Sequence, residues 1–142
     1  MNPEELLLDT HVLIWFLEGS LPASAVATIV DCGIQTPCRY SAASAWEVGL
    51  LARPGRNGVP RHVFDPDPVS WFRRLGDVPF FTEAALTPEI LIASSQLPGN
   101  HHKDPADRML VATARILDCT LMTRDSEILA YARQGHVKAI PC

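Results

Sequence analysis

The sequence lacks a long hydrophobic run. Hydrophobic residues make up 47% of its 142 residues, yet no apolar stretch approaches the roughly 20 residues that a membrane-spanning helix needs. The first five residues are acidic and contain no lysine or arginine, whereas a secretory signal peptide opens with a positively charged segment. We therefore expect a protein that has neither a signal peptide nor a membrane span and that resides in the cytoplasm.

Paired cysteines and common phosphate-binding motifs are missing as well. The cysteines are Cys32, Cys38, Cys119 and Cys142, and none of them form a C-x-x-C pair. Neither a zinc site nor a disulfide framework is therefore indicated. The sequence also has no glycine-rich phosphate loop, no Walker motif and no G-x-S-x-G nucleophile elbow. Candidate chemistry must be sought in other side chains.

An excess of positive charge is the third absence. The formal net charge is −4, whereas a protein that simply binds nucleic acid is usually basic, because neutralising phosphates supplies much of its affinity. The charge therefore argues against a simple nucleic-acid-binding module. It does not exclude a nuclease, since metal-binding carboxylates lower the net charge and bound cations neutralise them.

What the sequence does contain is an alternation of strand and helix patterns. Apolar runs predict strands at 5–9, 34–40, 78–82, 119–123 and 137–140. Periodicity and cap signals predict helices at 10–17, 21–31, 41–51, 68–75, 88–96, 105–117 and 126–133, with Gly33 beyond the end of the second helix and loops at 53–66 and 97–103. This alternation predicts one α/β domain over residues 1–142, with a mainly parallel sheet and helices on both faces.

Four carboxylates lie near the predicted strand ends. Asp9 ends the first strand, and Glu47 lies in the helix after the second strand. Asp107 lies in the first turn of a helix, and Asp125 follows the fourth strand. Because function in an open parallel sheet gathers beyond the carboxyl ends of the strands, these four side chains can converge although they are far apart in sequence.

Such a convergence has a chemical reason. Close carboxylates repel each other, and burial raises their pKa values. A hard cation such as Mg²⁺ or Mn²⁺ keeps a carboxylate cluster ionised. The same cation can activate water and stabilise charge at an attacked phosphorus atom. We therefore take the four acids as candidate catalytic residues and metal ligands.

Each acid also has a purely structural interpretation. Asp9 and Asp125 could cap the helices that follow them, and Asp104 is a natural cap before a proline. Glu47 lies three residues after Ser44, as in a capping box. These interpretations would leave the acids without a role in catalysis.

Asp107 is harder to explain as a helix-capping charge alone. A negative charge in the first turn of a helix suits the helix dipole. However, Asp107 shares an apolar helix face with Leu110, Val111 and Ala114 at positions i+3, i+4 and i+7. A carboxylate on such a face needs a partner, and a metal ion is a good candidate.

Other side chains give weaker signals. His11 could reach the edge of the site, whereas His101 and His102 are expected at the surface because they lack metal-ligand spacing. The tryptophans are expected in the core rather than as platforms for nucleic-acid bases: Trp15, Trp46 and Trp71.

Four segments resemble, in chain order, the motifs of PIN-domain proteins, in particular the VapC-type toxins of toxin–antitoxin pairs. They are residues 7–15 (LLDTHVLIW), 41–48 (SAASAWEV), 104–114 (DPADRMLVATA) and 121–125 (LMTRD). Each motif is weak by itself, but four in the family's order are a strong signal. The segment 53–66 matches none of these motifs. Loops of this kind are expected to govern substrate choice, so the sequence does not indicate a particular target.

The resemblance implies a PIN-like three-layer sandwich and a metal-dependent endoribonuclease that uses Mg²⁺ or Mn²⁺. The core ligands would be Asp9, Glu47 and Asp107, with Asp125 as a more variable fourth acid. Thr123 would place a hydroxyl near the metal. Asp104 and Thr10 are further candidate supporting residues, although the resemblance does not itself assign them a role. The resemblance further implies an RNA substrate, inhibition by a cognate antitoxin and a homodimer.

Two other functions remain open. A non-catalytic α/β interaction module would keep the fold and use the acids as helix caps. A metal-dependent phosphatase is disfavoured, because the first strand ends in Asp9-Thr10-His11 and lacks the Asp-x-Asp pair of those enzymes.

Overall fold

The structure is a computed structural model that describes residues 4–99 and 103–142. Its strands are β1 (Leu6–Leu8), β2 (Cys38–Ser41), β3 (Phe81–Ala84), β4 (Thr120–Thr123) and β5 (Ala139–Pro141). Its α-helices are α1 (Thr10–Glu18), α2 (Ala23–Gln35), α3 (Ala42–Ala52), α4 (Pro68–Arg73), α5 (Pro88–Ser95), α6 (Pro105–Leu117) and α7 (Ser126–Arg133), and a 3₁₀ turn follows α4 at Arg74–Asp77. The sequence predicts a surface position for His101 and His102, and both residues lie outside the described residues.

The five strands form one sheet in the order β3-β2-β1-β4-β5. Each of the four pairings is parallel. In the register at the centre, Leu7 of β1 pairs with Arg39 of β2 on one side and Leu121 of β4 on the other. The predicted α/β class is therefore confirmed, and the sheet is parallel throughout the described residues.

Helices cover both faces of the sheet. Side chains alternate along a strand, so β1 places apolar side chains on both faces, and both faces need a covering layer. Leu6 and Leu8 face a core that includes residues of α1, α2, α3 and α4. Leu7 faces a second core built with α6 and α7. All three leucines are almost fully buried. The result is the predicted three-layer arrangement, in which β1 lies at the centre and positions the residue that follows it.

The predicted end of the second helix was wrong. Helix α2 continues through Gly33 to Gln35, so β2 begins only at Cys38. A Cβ atom at position 33 would lie 2.8 Å from the Phe80 side chain. Gly33 therefore allows a helix to pack closely against Phe80, a long-range contact that a local stop signal does not reveal.

The third strand also begins later than predicted. The backbone N–H of Phe81 donates to the carbonyl of Val78 at 3.0 Å, so the chain is still turning at 78–80. Strand β3 runs from Phe81 to Ala84 instead of 78–82.

The tryptophans do not all lie in the core. Trp71 is buried, with 2% of its surface exposed, whereas Trp46 is 48% exposed. Trp15 is half-buried. The buried face of α3 contains Ala43, Ser44 and Val48, and the helical period turns position 46 away from that face. The core prediction for Trp46 was therefore wrong.

The segment 53–66 forms no helix or strand, as predicted, but it is held by a bridge within itself and by a contact with the core. An isolated antiparallel bridge joins Pro54 and Pro60. Farther along, Phe64 is buried against Trp71, with 4.8 Å between their ring centroids.

In the part of the chain that the structure describes, no single helix is long and apolar enough to cross a membrane. Only α1 and α2 taken together have that length and composition, and the pair is bent by 103°.

Candidate active site

Asp9 lies directly beyond the central strand. Its backbone N–H donates to the carbonyl of Met122 at 3.1 Å, which continues the pairing of β1 with β4. Its carboxylate accepts hydrogen bonds from the backbone N–H of Thr10 at 2.7 Å and from the Thr123 hydroxyl at 2.6 Å. Asp9 therefore caps α1, as its structural interpretation predicted, and it also contributes a nearly buried carboxylate to the site.

Glu47 reaches the same place from α3. Its Oε1 accepts a hydrogen bond of 2.5 Å from the Thr10 hydroxyl, whose oxygen is also 2.8 Å from the hydroxyl oxygen of Ser44. The capping-box interpretation is wrong, because α3 is capped by Ser41 and Ser44 is buried inside the helix. Sequence reasoning did not identify Ser44 as part of this network.

Asp107 lies in the first turn of α6, on the face predicted from its periodicity. Leu110, Val111 and Ala114 on that face are all buried, and Asp107 itself is 8% exposed. Asp104 caps the helix, since one of its oxygens accepts from the backbone N–H groups of Ala106 and Asp107. The cap thus fixes the helix end that carries Asp107.

The structure brings three of the four predicted acids into one cluster. Asp9, Glu47 and Asp107 each offer a carboxylate oxygen, and these oxygens lie within 4.8 Å of one another. Asp125 is not in that cluster. It caps α7 through the backbone N–H groups of Glu127 and Ile128.

Asp125 nevertheless lines the same cavity as the three clustered acids. This cavity has a volume of about 400 Å³. Its lining residues are Asp9, His11, Trp15, Glu47, Asp104, Asp107, Arg124 and Asp125. His11 reaches the edge of the site, as considered from the sequence. Trp15 and Arg124 were not identified as site residues, although they lie inside the first and the fourth motif respectively.

Burial and mutual repulsion raise the pKa values of the clustered acids. Burial is the main cause that raises the pKa of Asp107 to about 8, and the carboxylate of Asp9 is the next. Burial likewise raises the pKa of Glu47 to about 7, against the opposing hydrogen bond from Thr10. The pKa of Asp9 is also raised by burial. The site therefore disfavours three simultaneous negative charges unless a cation compensates them.

The donor set suits a hard divalent cation. Its candidate ligand atoms are carboxylate oxygens, which Mg²⁺ and Mn²⁺ prefer over nitrogen or sulfur ligands. Their spacing is close enough for one ion to contact all three residues. The fold and the site together thus define an α/β protein with an acidic centre that can hold a divalent cation.

The chain belongs to the PIN domain family, whose sequence model matches residues 6–134. It is similar to Ribonuclease VapC22 of Mycobacterium tuberculosis, with 26% identity over 127 residues that cover 89% of this chain and 91% of the relative. The resemblance read from the four sequence motifs is confirmed.

Solved structures share the fold. The crystal structure of VapBC2 from Rickettsia felis, bound to a promoter DNA fragment, contains a chain that matches with a TM-score of 0.63 and 11% identity, covering 96% of this chain and 97% of that chain. A toxin–antitoxin complex from Klebsiella pneumoniae matches with a TM-score of 0.60 and 19% identity, covering 89% and 91%. At these identities the similarity establishes the architecture.

Proposed function

We propose that this protein is a metal-dependent endoribonuclease that acts as the toxin of a toxin–antitoxin pair. The observation that carries the proposal is the cluster of Asp9, Glu47 and Asp107, which come from three separate parts of the chain and offer carboxylate oxygens within 4.8 Å of one another. Membership of the PIN domain family and the similarity to a protein named as a ribonuclease support it.

The metal would be held by Asp9, Glu47 and Asp107, with Asp125 as an additional acid at the cavity wall. Mg²⁺ and Mn²⁺ are the proposed ions, because the ligand atoms are all carboxylate oxygens. When bound, such an ion lowers the pKa of a coordinated water and stabilises charge on phosphate oxygens during hydrolysis.

Other side chains in the site orient the acids. The hydroxyls of Thr123 and Thr10 donate to Asp9 and Glu47 respectively, and each bond restrains the rotation of a carboxylate. Asp104 fixes the start of α6, which carries Asp107. Such outer contacts set the geometry of metal ligands and are worth roughly 10–100-fold in metal affinity or activity.

Cleavage of a mixed single-stranded RNA tests the proposal. We expect cleavage with Mg²⁺ or Mn²⁺, none with a chelator, and a loss of several orders of magnitude in Asp9→Asn and Asp107→Asn. Asp31→Asn, an exposed acid on α2, removes the same charge outside the site and should cut like the wild type. If both site variants cut RNA as fast as the wild type, the acids are structural. If the wild type itself does not cut RNA, the non-catalytic interaction module becomes the better description.

The proposed protein partner is an antitoxin that places a basic side chain near the acids. The chain has a net charge of −4, and its cavity is lined by five carboxylates, so an arginine or lysine from a partner would be complementary. The similar structure from Klebsiella pneumoniae is itself a toxin–antitoxin complex. Co-expression and pull-down with the product of the adjacent gene should yield a complex that weakens at high salt; no binding to that product would contradict the proposal.

A homodimer is also proposed, from the family resemblance alone. The chain mass is 15.6 kDa. Light scattering of the purified protein should therefore give about twice that mass, and the mass of a single chain would contradict it.

A further inference from the structure

Arg124 is the one arginine among the described residues that line the acidic cavity. It follows the last residue of β4 and precedes Asp125. Its side chain is exposed. A guanidinium beside five carboxylates would be expected to pair with one of them, since opposite charges attract strongly when water is partly excluded.

The structure holds this guanidinium differently. Its central carbon lies 4.2 Å from the centroid of the Trp15 ring, and its Nε donates to the main-chain oxygen of Cys142 at 3.4 Å. Within residues 4–99 and 103–142, the structure records no ion pair between Arg124 and the side chain of an aspartate or glutamate. The positive charge at the cavity is therefore held by stacking and one backbone contact.

Trp15 is suited to hold Arg124 in place. The indole is half-buried and packs against the core under β1, so its ring is a fixed surface. Stacking uses the flat face of the guanidinium and leaves the N–H groups of its edge in the plane. These N–H groups match the geometry of two phosphate oxygens.

We propose that Arg124, positioned by Trp15, binds a backbone phosphate of the RNA beside the acidic centre. This inference rests on the proposed ribonuclease function and adds a substrate-binding residue to it. RNA that approaches five carboxylates is repelled by them, and Arg124 supplies an attractive contact at the wall of the same cavity. Trp15 acts through Arg124 and is a positioning residue.

The test compares Arg124→Ala with Arg133→Ala. Arg133 is an exposed arginine on α7 that does not line the acidic cavity, so its removal changes the net charge equally. For a short single-stranded RNA we expect KM to rise about tenfold in Arg124→Ala, as for a lost charge-assisted hydrogen bond, with a smaller change in kcat. Arg133→Ala should retain the wild-type KM.

Salt dependence provides a readout that damage to the fold would not produce. RNA binding is measured in the Asp107→Asn background, in which cleavage is slow. The logarithm of the binding constant decreases with the logarithm of the salt concentration. The magnitude of this negative slope should decrease by about 0.7 when Arg124 is removed, because one phosphate contact on a single strand is lost. Arg124→Lys should retain most of the slope, since it keeps the charge. Trp15→Ala should also raise KM, as Arg124→Ala does.

Three results would overturn the inference and leave the proposed ribonuclease function intact. The first is an unchanged KM and salt slope in Arg124→Ala while the wild type cleaves RNA, which leaves the ribonuclease function intact. The second is a loss of Mn²⁺ binding by titration calorimetry in Arg124→Ala, which would make Arg124 a structural support of the acids. The third is weaker antitoxin binding with unchanged RNA binding, which would assign Arg124 to the partner. A wild type that neither binds nor cleaves RNA removes the proposed function and this inference together.

Discussion

The hydroxyl of Thr123 links two acids at the ends of neighbouring strands. It donates to Oδ2 of Asp9 at 2.6 Å and accepts from the backbone N–H of Asp125 at 3.0 Å. A threonine hydroxyl has one proton and two lone pairs, so it can make both bonds at once. The side chain is completely buried. Thr123 therefore sets the orientation of Asp9 and the start of the segment that carries Asp125.

Replacing this hydroxyl should damage both metal binding and stability. In Thr123→Val, Asp9 loses a donor and the Asp125 N–H loses an acceptor inside the protein. We expect a loss on the order of 1–3 kcal/mol in the free energy of unfolding and roughly 10–100-fold weaker Mn²⁺ binding. Titration calorimetry and chemical denaturation measure the two effects. Thr123→Ser keeps the hydroxyl and should bind Mn²⁺ more tightly than the valine variant; equal binding by wild type and Thr123→Val would contradict the role.

The metal-free protein should lose stability as the pH rises. The folded-state pKa is about 8 for Asp107 and about 7 for Glu47, above ordinary values of 3.8 and 4.5. At a pH between the ordinary and the raised pKa of each group, the folded protein binds more protons than the unfolded chain. The free energy of unfolding therefore decreases with increasing pH over that range. Each unit of pKa difference corresponds to about 1.4 kcal/mol.

Urea denaturation in the presence of a chelator, at about pH 5 and about pH 8, measures this decrease. Asp107→Asn cannot ionise at that position, so it should lose less stability than the wild type over the same interval. Asp31→Asn serves as the control and should follow the wild type. An identical pH dependence in wild type and Asp107→Asn would show that repulsion in the cluster is negligible.

Divalent cations should restore the stability lost at high pH. A ligand that binds only the folded state at 100 times its Kd adds about 2.7 kcal/mol, which corresponds to a rise of several degrees in Tm for a domain of this size. We expect Mn²⁺ to raise the Tm of the wild type near pH 8, and a chelator to reverse the rise. Asp9→Asn should show a much smaller rise. A Tm of the wild type that does not respond to Mg²⁺ or Mn²⁺ would argue against a metal site.

The two helical glycines Gly33 and Gly49 should respond oppositely to alanine. In a helix, alanine is favoured over glycine by roughly 0.5–1 kcal/mol. At Gly49 an added Cβ meets no atom within 4 Å, so Gly49→Ala should raise the Tm. At Gly33 the Cβ would lie 2.8 Å from Phe80, so Gly33→Ala should cost about 1–3 kcal/mol from overpacking. Thermal melts of both variants decide the matter, and a stabilised Gly33→Ala would show that Phe80 can move.

Local signals in the sequence were enough to predict most elements of the fold. Asp67, Thr87 and Asp104 each precede a proline, and each of them caps the helix that was predicted there. The apolar run at Leu6–Leu8 became the central buried strand. These signals act between residues a few positions apart, and so they are visible without the rest of the structure.

The two interpretations of the acids were not true alternatives. Asp9, Asp104 and Asp125 are all helix caps, and all three also line the acidic cavity. A capping carboxylate needs only one oxygen for the backbone N–H groups, so the other can face the cavity. The sequence could not reveal this dual use, because it depends on which way each helix start faces.

The sequence by itself determined the parallel α/β class, the capped helix starts and the four acids in their order along the chain. Only the tertiary structure decided which acids share a cluster, which tryptophan is exposed, and that Arg124 stacks on Trp15 instead of pairing with an acid. The physical reason is the reach of the interactions. Caps and periodicity operate within one or two turns, whereas the contacts of Thr10 with Glu47 and of Asp9 with Thr123 join residues 37 and 114 positions apart. Which of these distant residues come into contact is set by how the helices cross over the sheet.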